Sequence, residues 1–328
     1  MRTFYRDTVS TCHRCGRDVK GVFWQSPEGI YLETTCPVHG IDLELVEKDV
    51  TFFQKAYEYE GYCPMRYLIL PVTYRCNLSC KYCYAHSNYE HPLPADRSID
   101  RLVELVKSSE CPTVNLAGGE PTVRDDLPEL LVALRERTSV KRLCVVTNGQ
   151  KTIDGNYLNT LHASGMDFLF LPLYIPGYAS TGTVIGKVIK SLDNAYRLRI
   201  PVWVQAAIES IQQIAPVLEI VDKYHKIIFS ITIRSVRPYG RTAPGGMVHV
   251  SDIIRHLGLE NNYGFGNHPF NRHVKLLGRT TKVSSWVNDR QKLDPYDATY
   301  VIHDDTLLPF HKGMLLDDIF FKGDRWHC

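Results

Sequence analysis

The segment Tyr67-Leu-Ile-Leu-Pro-Val-Thr73-Tyr-Arg-Cys76-Asn-Leu-Ser-Cys80-Lys-Tyr-Cys83-Tyr84 joins an apolar run directly to three closely spaced cysteines. The run from Tyr67 to Thr73 reads as a buried strand. The cysteines therefore fall on the loop that leaves its C-terminal end. Downstream, the same unit repeats. Ser98 can cap a helix whose apolar face includes Ile99, Leu102, Val103, Leu105 and Val106. Strands at 113–117, 142–147, 167–174, 202–208 and 227–233 alternate with helices at 126–137, about 156–163, 184–198, 211–224 and 252–257. Continuous apolar strands between amphipathic helices predict a parallel sheet covered by helices. Six such units suit an open doubly wound sheet or part of a barrel, and periodicity alone does not choose.

Outward from this core the texture changes. Residues 12–40 read as a small unit: Cys12-His-Arg-Cys15-Gly and Cys36-Pro-Val-His39-Gly flank two strand-like runs joined at Ser26-Pro-Glu-Gly29. After residue 258 the periodicity dissolves into short strands and loops. The expected organisation is a metal-binding knuckle and hairpin domain over 1–60, an α/β domain over 61–258 and an irregular C-terminal extension over 259–328.

Composition excludes several classes. The 328 residues carry a net charge of +2 without a run of like charges, which argues against a nucleic-acid binder working by bulk charge. No stretch approaches the roughly 20 apolar residues of a membrane span. The first 15 residues hold no apolar signal core, so a cytoplasmic location is expected. The 10 cysteines are the unusual feature, and in such a chain they point to metal or redox chemistry rather than disulfides.

Cys76, Cys80 and Cys83 can converge on one metal centre, and soft thiolates select zinc, Cu(I) or iron–sulfur clusters. An electron-transfer cluster normally has four protein thiolates. No fourth cysteine stands at a matching offset, so a four-iron cluster here would leave one iron open to substrate. A zinc site completed by a distant residue, or three unrelated core cysteines, are the alternatives. The next strand ends in Gly118-Gly119-Glu120-Pro121, at the same end of the sheet. Its glycines let a ligand approach the backbone, and Glu120 could accept from an ammonium group. At the N-terminus, Cys12, Cys15, Cys36 and His39 have ribbon spacing. A structural Zn²⁺ is the first reading, because one hairpin cannot bury enough core alone. Mononuclear iron is the runner-up, and Cys63 could replace His39.

The CxxxCxxC run with Tyr82 before its last cysteine, followed one strand later by Gly-Gly-Glu-Pro, resembles the radical S-adenosylmethionine (radical SAM) superfamily over about residues 66–250. Thr147-Asn-Gly149 after the third strand is a frequent companion there. The resemblance implies an α/β fold of the partial (βα)6 TIM-like barrel type. It implies that Cys76, Cys80 and Cys83 hold a [4Fe–4S] cluster whose open iron chelates S-adenosyl-L-methionine, with Tyr82 near the adenine and Gly118, Gly119, Glu120 and Pro121 at the methionine amino group. The implied chemistry is reductive cleavage of the sulfonium to a 5′-deoxyadenosyl radical, fed by a reductase, ferredoxin or flavodoxin. The N-terminal part resembles the branch with tetraether lipid synthases and archaeal pterin-methylating enzymes. The fifth strand lacks the glycines many members carry. Glu209 could still reach the ribose or serve as a helix-capping carboxylate, and Tyr174 could touch the cofactor or be a half-buried strand residue.

Arg234, Arg237 and Arg241 follow the sixth strand and could bind a substrate carboxylate or phosphate, or form surface salt bridges. A small biosynthetic molecule is the expected substrate. A peptide or protein maturase, and a non-catalytic iron–sulfur or zinc module, are the alternatives.

Overall fold

The computed structural model describes residues 1–12, 14, 18–58, 67–80, 83, 87, 95–173, 185–235, 248–257, 264–265, 271–276, 279–284, 299–303 and 306–309. From 264 onward the description is confined to strand pairing. Cys15, Cys63, Tyr82, Tyr174, Arg237 and Arg241 lie outside the described residues, and Arg234 is placed only as a strand position.

The N-terminal part is a four-stranded antiparallel meander rather than the single hairpin expected. Its strands are β1 (Thr3–Thr11), β2 (Asp18–Ser26), β3 (Gly29–Cys36) and β4 (Gly40–Glu47), paired in that order. The signal for β4 was present in the alternation of Ile41, Leu43 and Leu45 with Asp42 and Glu44. A short helix, α1 (Val50–Glu58), follows, with the Asp49 carboxylate accepting from Phe52 N at 2.8 Å.

The α/β part runs β5 (Tyr67–Thr73), α2 (Ile99–Ser109), β6 (Thr113–Gly118), α3 (Leu127–Arg137), β7 (Arg142–Val146), α4 (Gly155–Ala163), β8 (Phe168–Pro172), α5 (Ile185–Leu198), β9 (Val202–Ile208), α6 (Ile214–Lys223), β10 (Ile228–Ser235) and α7 (Val250–His256). Ser98 caps α2 as expected, its hydroxyl accepting from Arg101 N. The expected helix over 211–224 resolves into a 3₁₀ turn at Ile211–Gln213 followed by α6.

Strand order decides what periodicity could not. The six strands lie β5-β6-β7-β8-β9-β10, each parallel to its sequence neighbour. A doubly wound sheet reverses its order at a switch point, whereas this sheet never does. Right-handed crossovers in one direction put every helix on one face, which is the barrel arrangement. Buried Val114, Leu116, Leu143, Val145, Leu169, Leu171, Val202, Val204, Ile231 and Ile233 meet the helix residues Leu102, Leu130, Leu134, Leu158, Leu192 and Val217 in one core. The alternate positions, including Asn115, Cys144, Phe170, Trp203 and Thr232, face the concave side.

The C-terminal segment extends this sheet at both edges. There, β13 (Arg279–Ser284) runs parallel to β10, with β12 (Asn271–Leu276) and β11 (Gly264–Phe265) beyond it. On the other side β14 (Thr299–His303) runs parallel to β5 and carries β15 (Thr306–Pro309).

The N-terminal sheet is docked on the α/β part. Phe23, Ile30, Leu32, Val46 and Phe53 belong to the same buried core as the barrel leucines. At the seam Glu47 is 2% exposed. Its Oε1 accepts from Ser251 Oγ at 2.5 Å, Lys48 N at 2.8 Å and Asp49 N at 3.2 Å, and its Oε2 accepts from Ser251 N at 3.3 Å. Beside it buried His249 donates from Nδ1 to Val46 O at 3.2 Å. The Lys48–Asp252 and Arg255–Asp49 pairs nearby are exposed and contribute little.

Replacing Glu47 by Ala strands these buried donors. The variant should unfold with a loss of about 2–4 kcal/mol, read by denaturant titration. Burial raises the pKa of Glu47 against the four donors. A carboxyl whose folded pKa lies above its unfolded value gives most stability at acid pH and loses it as pH rises through the folded pKa. Wild type should therefore lose stability relative to Glu47→Gln as pH rises from about 4.

Candidate active site

The cysteine loop and the Gly-Gly-Glu-Pro turn meet through their backbones. Gly119 N donates to Thr73 O and Glu120 N donates to Arg75 O, each at 2.8 Å. These bonds continue the β5–β6 pairing past the strand ends and into the loop. A Cβ on Gly118 would lie 2.1 Å from Thr73 O, and one on Gly119 would lie 2.1 Å from Arg75 O. Gly118 also has φ +122°, a region L side chains rarely adopt. The two glycines thus serve the approach of one backbone to another. The N–H groups of Gly119 and Glu120 are committed to the loop.

Glu120 is likewise turned inward. It is 1% exposed, and its Oε1 accepts from Thr122 Oγ1 and Thr147 Oγ1, each at 2.6 Å, and from Thr122 N at 3.1 Å. Its Oε2 accepts from Asn148 N at 2.6 Å. Burial raises its pKa, opposed by these donors. Its oxygens thus receive four hydrogen bonds away from solvent. Pro121 is buried in the 3₁₀ turn that follows.

Cys76, Cys80 and Cys83 are each half-exposed on the loop. Cys83 N donates to Cys80 O at 3.3 Å, and Cys76 Sγ accepts from Leu78 N at 3.4 Å. Burial pushes the Cys76 thiol up to about 12; Leu78 N–H opposes this, while Glu120, Cys83 and Cys80 add to it. Thiolates that disfavour one another need a cation to deprotonate together.

Spacing separates the two cysteine groups. Cys12 Sγ and Cys36 Sγ stand 3.4 and 3.6 Å from His39 Nδ1. A tetrahedral zinc with ordinary bond lengths puts sulfur and nitrogen about 3.5 Å apart. Among the described residues this is the one group whose ligand atoms all lie within 4.8 Å of one another. The three loop cysteines do not form a second such group among the described residues. At the N-terminal group, burial opposes ionisation of Cys36, but Val38 N–H, His39 N–H and the Cys12 and His39 side chains together hold it down at about 6. The backbone donors lie in the tight turn after Cys36, where Gly40 has φ +78°.

Arg124 was not legible in the sequence. It is 4% exposed, and its Nη1 donates to Val72 O at 2.8 Å and Arg97 O at 3.0 Å. Its Nε and Nη2 form a fork with Asp126 at 2.9 and 2.7 Å. One side chain thereby grips both ends of the segment that carries the cysteines. Arg75 and Asp96 pair across the same base at 2.6 Å. Glu209 is exposed at the end of β9, where its N–H donates to Gln213 Oε1 at 2.7 Å. On the concave face, half-buried Phe170 and Trp203 pack with centroids 5.2 Å apart, and Trp203 Nε1 donates to Thr232 Oγ1 at 2.9 Å.

A family profile described as the Radical SAM superfamily matches residues 70–242, more than half of the chain. The chain belongs to the radical SAM superfamily. Members of this superfamily are enzymes that use a [4Fe–4S] cluster and S-adenosylmethionine. A second profile, the HMPTM N-terminal zinc ribbon domain, matches residues 4–48. The 7,8-dihydro-6-hydroxymethylpterin dimethyltransferase of Methanocaldococcus jannaschii is 29% identical over 195 residues, covering 51% of this chain and 38% of that protein. The mitochondrial GTP 3′,8-cyclase of Arabidopsis thaliana is 34% identical over 141 residues, covering 40% of this chain and 36% of that protein. The chain thus spans less than two fifths of the length of either relative. Among solved structures, methylornithine synthase aligns with a TM-score of 0.48 at 14% identity, over 65% of this chain and 69% of that chain. No helix among the described residues is long and apolar enough to cross a membrane.

Changing Arg124 to Ala should lower the stability of the metal-free chain by about 2–3 kcal/mol, because two buried carbonyls and a carboxylate lose their donor. Arg124→Lys keeps the charge but not the fork, and should fall between. Chemical unfolding of the three proteins checks the order.

Proposed function

We propose that Cys76, Cys80 and Cys83 hold a [4Fe–4S] cluster with one iron free of protein ligands, that S-adenosylmethionine binds beside the Gly118–Pro121 turn, and that the enzyme removes hydrogen from a small biosynthetic molecule. The observation that carries this reading is the paired backbone of the two motifs at Gly119–Thr73 and Glu120–Arg75. It gives the cluster loop and the Gly-Gly-Glu-Pro turn a common rigid base. When bound, the cluster and S-adenosylmethionine supply one-electron reduction of a sulfonium and the hydrogen abstraction that follows. The chain's own residues hold and orient: Arg124 closes the base of the loop and Glu120 locks the turn to β7. The role left to the turn is contact through carbonyl oxygens, since the Glu120 carboxylate is occupied. An external one-electron donor is required.

The concave face favours a substrate with a planar body. Phe170 and Trp203 offer aromatic surface that is not buried against the helices, and the Thr232 contact fixes the indole. The two relatives named above take, by their names, a pterin and GTP, both flat heterocycles. Arg234, Arg237 and Arg241 remain proposed partners for a carboxylate or phosphate, and Tyr82, Tyr174 and Glu209 for the adenosine part of the cofactor.

At the N-terminus, Cys12, Cys15, Cys36 and His39 are the proposed ligands of a structural zinc, which the match to a zinc ribbon supports.

Anaerobic, reduced, cluster-loaded protein given S-adenosylmethionine should form 5′-deoxyadenosine, measured by liquid chromatography. Changing Cys76, Cys80 and Cys83 together to Ala should reduce product to the uncatalysed background. Equal product from that variant, or none from cluster-loaded wild type, would sink the reading.

Elemental analysis should find one zinc per chain, lost on Cys12→Ala or Cys36→Ala while iron is retained. Cys36 has a depressed pKa, so the stability it contributes is present above its unfolded value of about 8.5. In the metal-free chain that contribution is lost as pH falls through about 6; bound zinc competes with protons for the thiolates and should be retained to lower pH than that.

A further inference from the structure

We infer that Asn148 is a positioning residue for the cluster loop, whose side-chain amide donates toward Cys76 and thereby sets how readily the bound cluster accepts an electron. This rests on the proposed reading of Cys76 as a cluster ligand and goes beyond it.

The orientation of the amide follows from its partners. Asn148 Oδ1 accepts from Gln150 N at 3.0 Å, a donor that only the oxygen end can meet. The Nδ2 end therefore faces the cysteine loop. There it donates to Asn77 Oδ1 at 2.7 Å and lies 4.0 Å from Cys76 Sγ. The first contact is a strong tether between β7 and the residue next to Cys76. The second points the positive end of an N–H dipole at the sulfur.

The backbone of Asn148 is fixed from behind. Its N–H donates to Glu120 Oε2 at 2.6 Å, and Glu120 Oε1 is held by Thr122 and Thr147. A continuous chain of hydrogen bonds thus runs from the Gly-Gly-Glu-Pro turn through Glu120 and Asn148 to Asn77 and the Cys76 sulfur. The carboxylate in that chain carries negative charge toward the site and disfavours an added electron. The Asn148 amide and the Leu78 N–H, which donates to the same sulfur at 3.4 Å, act in the opposite sense. Hydrogen bonds to cluster sulfurs are one of the levers by which proteins set cluster potentials. Removing a donor leaves the reduced, more negative cluster less stabilised.

The test is an anaerobic redox titration of the full cluster-loaded chain without S-adenosylmethionine, followed by electron paramagnetic resonance of the reduced cluster. Asn148→Ala should shift the midpoint to more negative potential relative to wild type. Asn148→Asp, nearly isosteric but without the donor and with a charge, should shift it further the same way. A purely structural role would alter cluster occupancy or unfolding without moving the midpoint of the cluster that remains. An unchanged or more positive midpoint in Asn148→Ala overturns the inference. If that variant holds no cluster, the same result in Asn148→Asp overturns it. A wild-type chain with no reducible cluster, or a signal that survives Cys76→Ala, overturns the cluster reading and this inference with it.

Discussion

Burying a carboxylate is costly unless its oxygens are fully engaged, and Glu120 is engaged by four donors drawn from two different strand ends. Two donors come from Thr122 in its own turn, and two come from Thr147 and Asn148 at the end of β7. Its burial therefore requires that β6 and β7 end at a fixed separation. The same turn is joined to the first strand by Gly119 and Glu120 N–H. Three successive strand ends are thus locked together around one charge. The cysteine loop leaves the first of them, so its starting point is as rigid as the sheet. A site built on strand termini that cannot slide is the kind that holds a reactive centre in register.

This arrangement also changes what the Gly-Gly-Glu-Pro residues mean physically. Read as a string, the glycines suggest an accessible backbone and the glutamate suggests a charged ligand. In the fold, the space vacated by the missing Cβ atoms is filled by Thr73 O and Arg75 O. The residues most visible in the motif are thus the frame of the site. Groups left for a ligand must be found among the carbonyls and the flanking loop.

The alternation of apolar strands and amphipathic helices was legible because both periods are local. Every one of the six strands from β5 to β10 and the helices between them could be placed that way. The cysteine loop was legible for the same reason, since its three cysteines fall within eight residues. Strand order was not, because adjacency is a property of crossover handedness and direction rather than of any one segment. Arg124 bonds Val72 and Arg97, Asn148 bonds Asn77 and Glu47 bonds Ser251, across 52, 27, 71 and 204 residues of chain. Nothing periodic marks such partners in advance. The missed β4 is a different case: its alternation of apolar and acidic residues was readable, but the knuckle at Cys36-Pro-Val-His39 suggested that the unit closed there.

The two cysteine groups show how donor spacing constrains metal identity. A single tetrahedral ion pulls its ligands to within about 4 Å of one another; Cys12 and Cys36 stand 3.4 and 3.6 Å from His39 Nδ1, and all three ligand atoms lie within 4.8 Å. At Cys36 the converging N–H donors stabilise the thiolate against burial. The loop cysteines do the reverse. They are half-exposed, and Cys76 is held as a thiol by burial and by negative neighbours. A positively charged centre would reverse that charge balance. The contrast between a Cys36 thiol held down at about 6 and a Cys76 thiol pushed up to about 12 follows from burial set against local donors and charges.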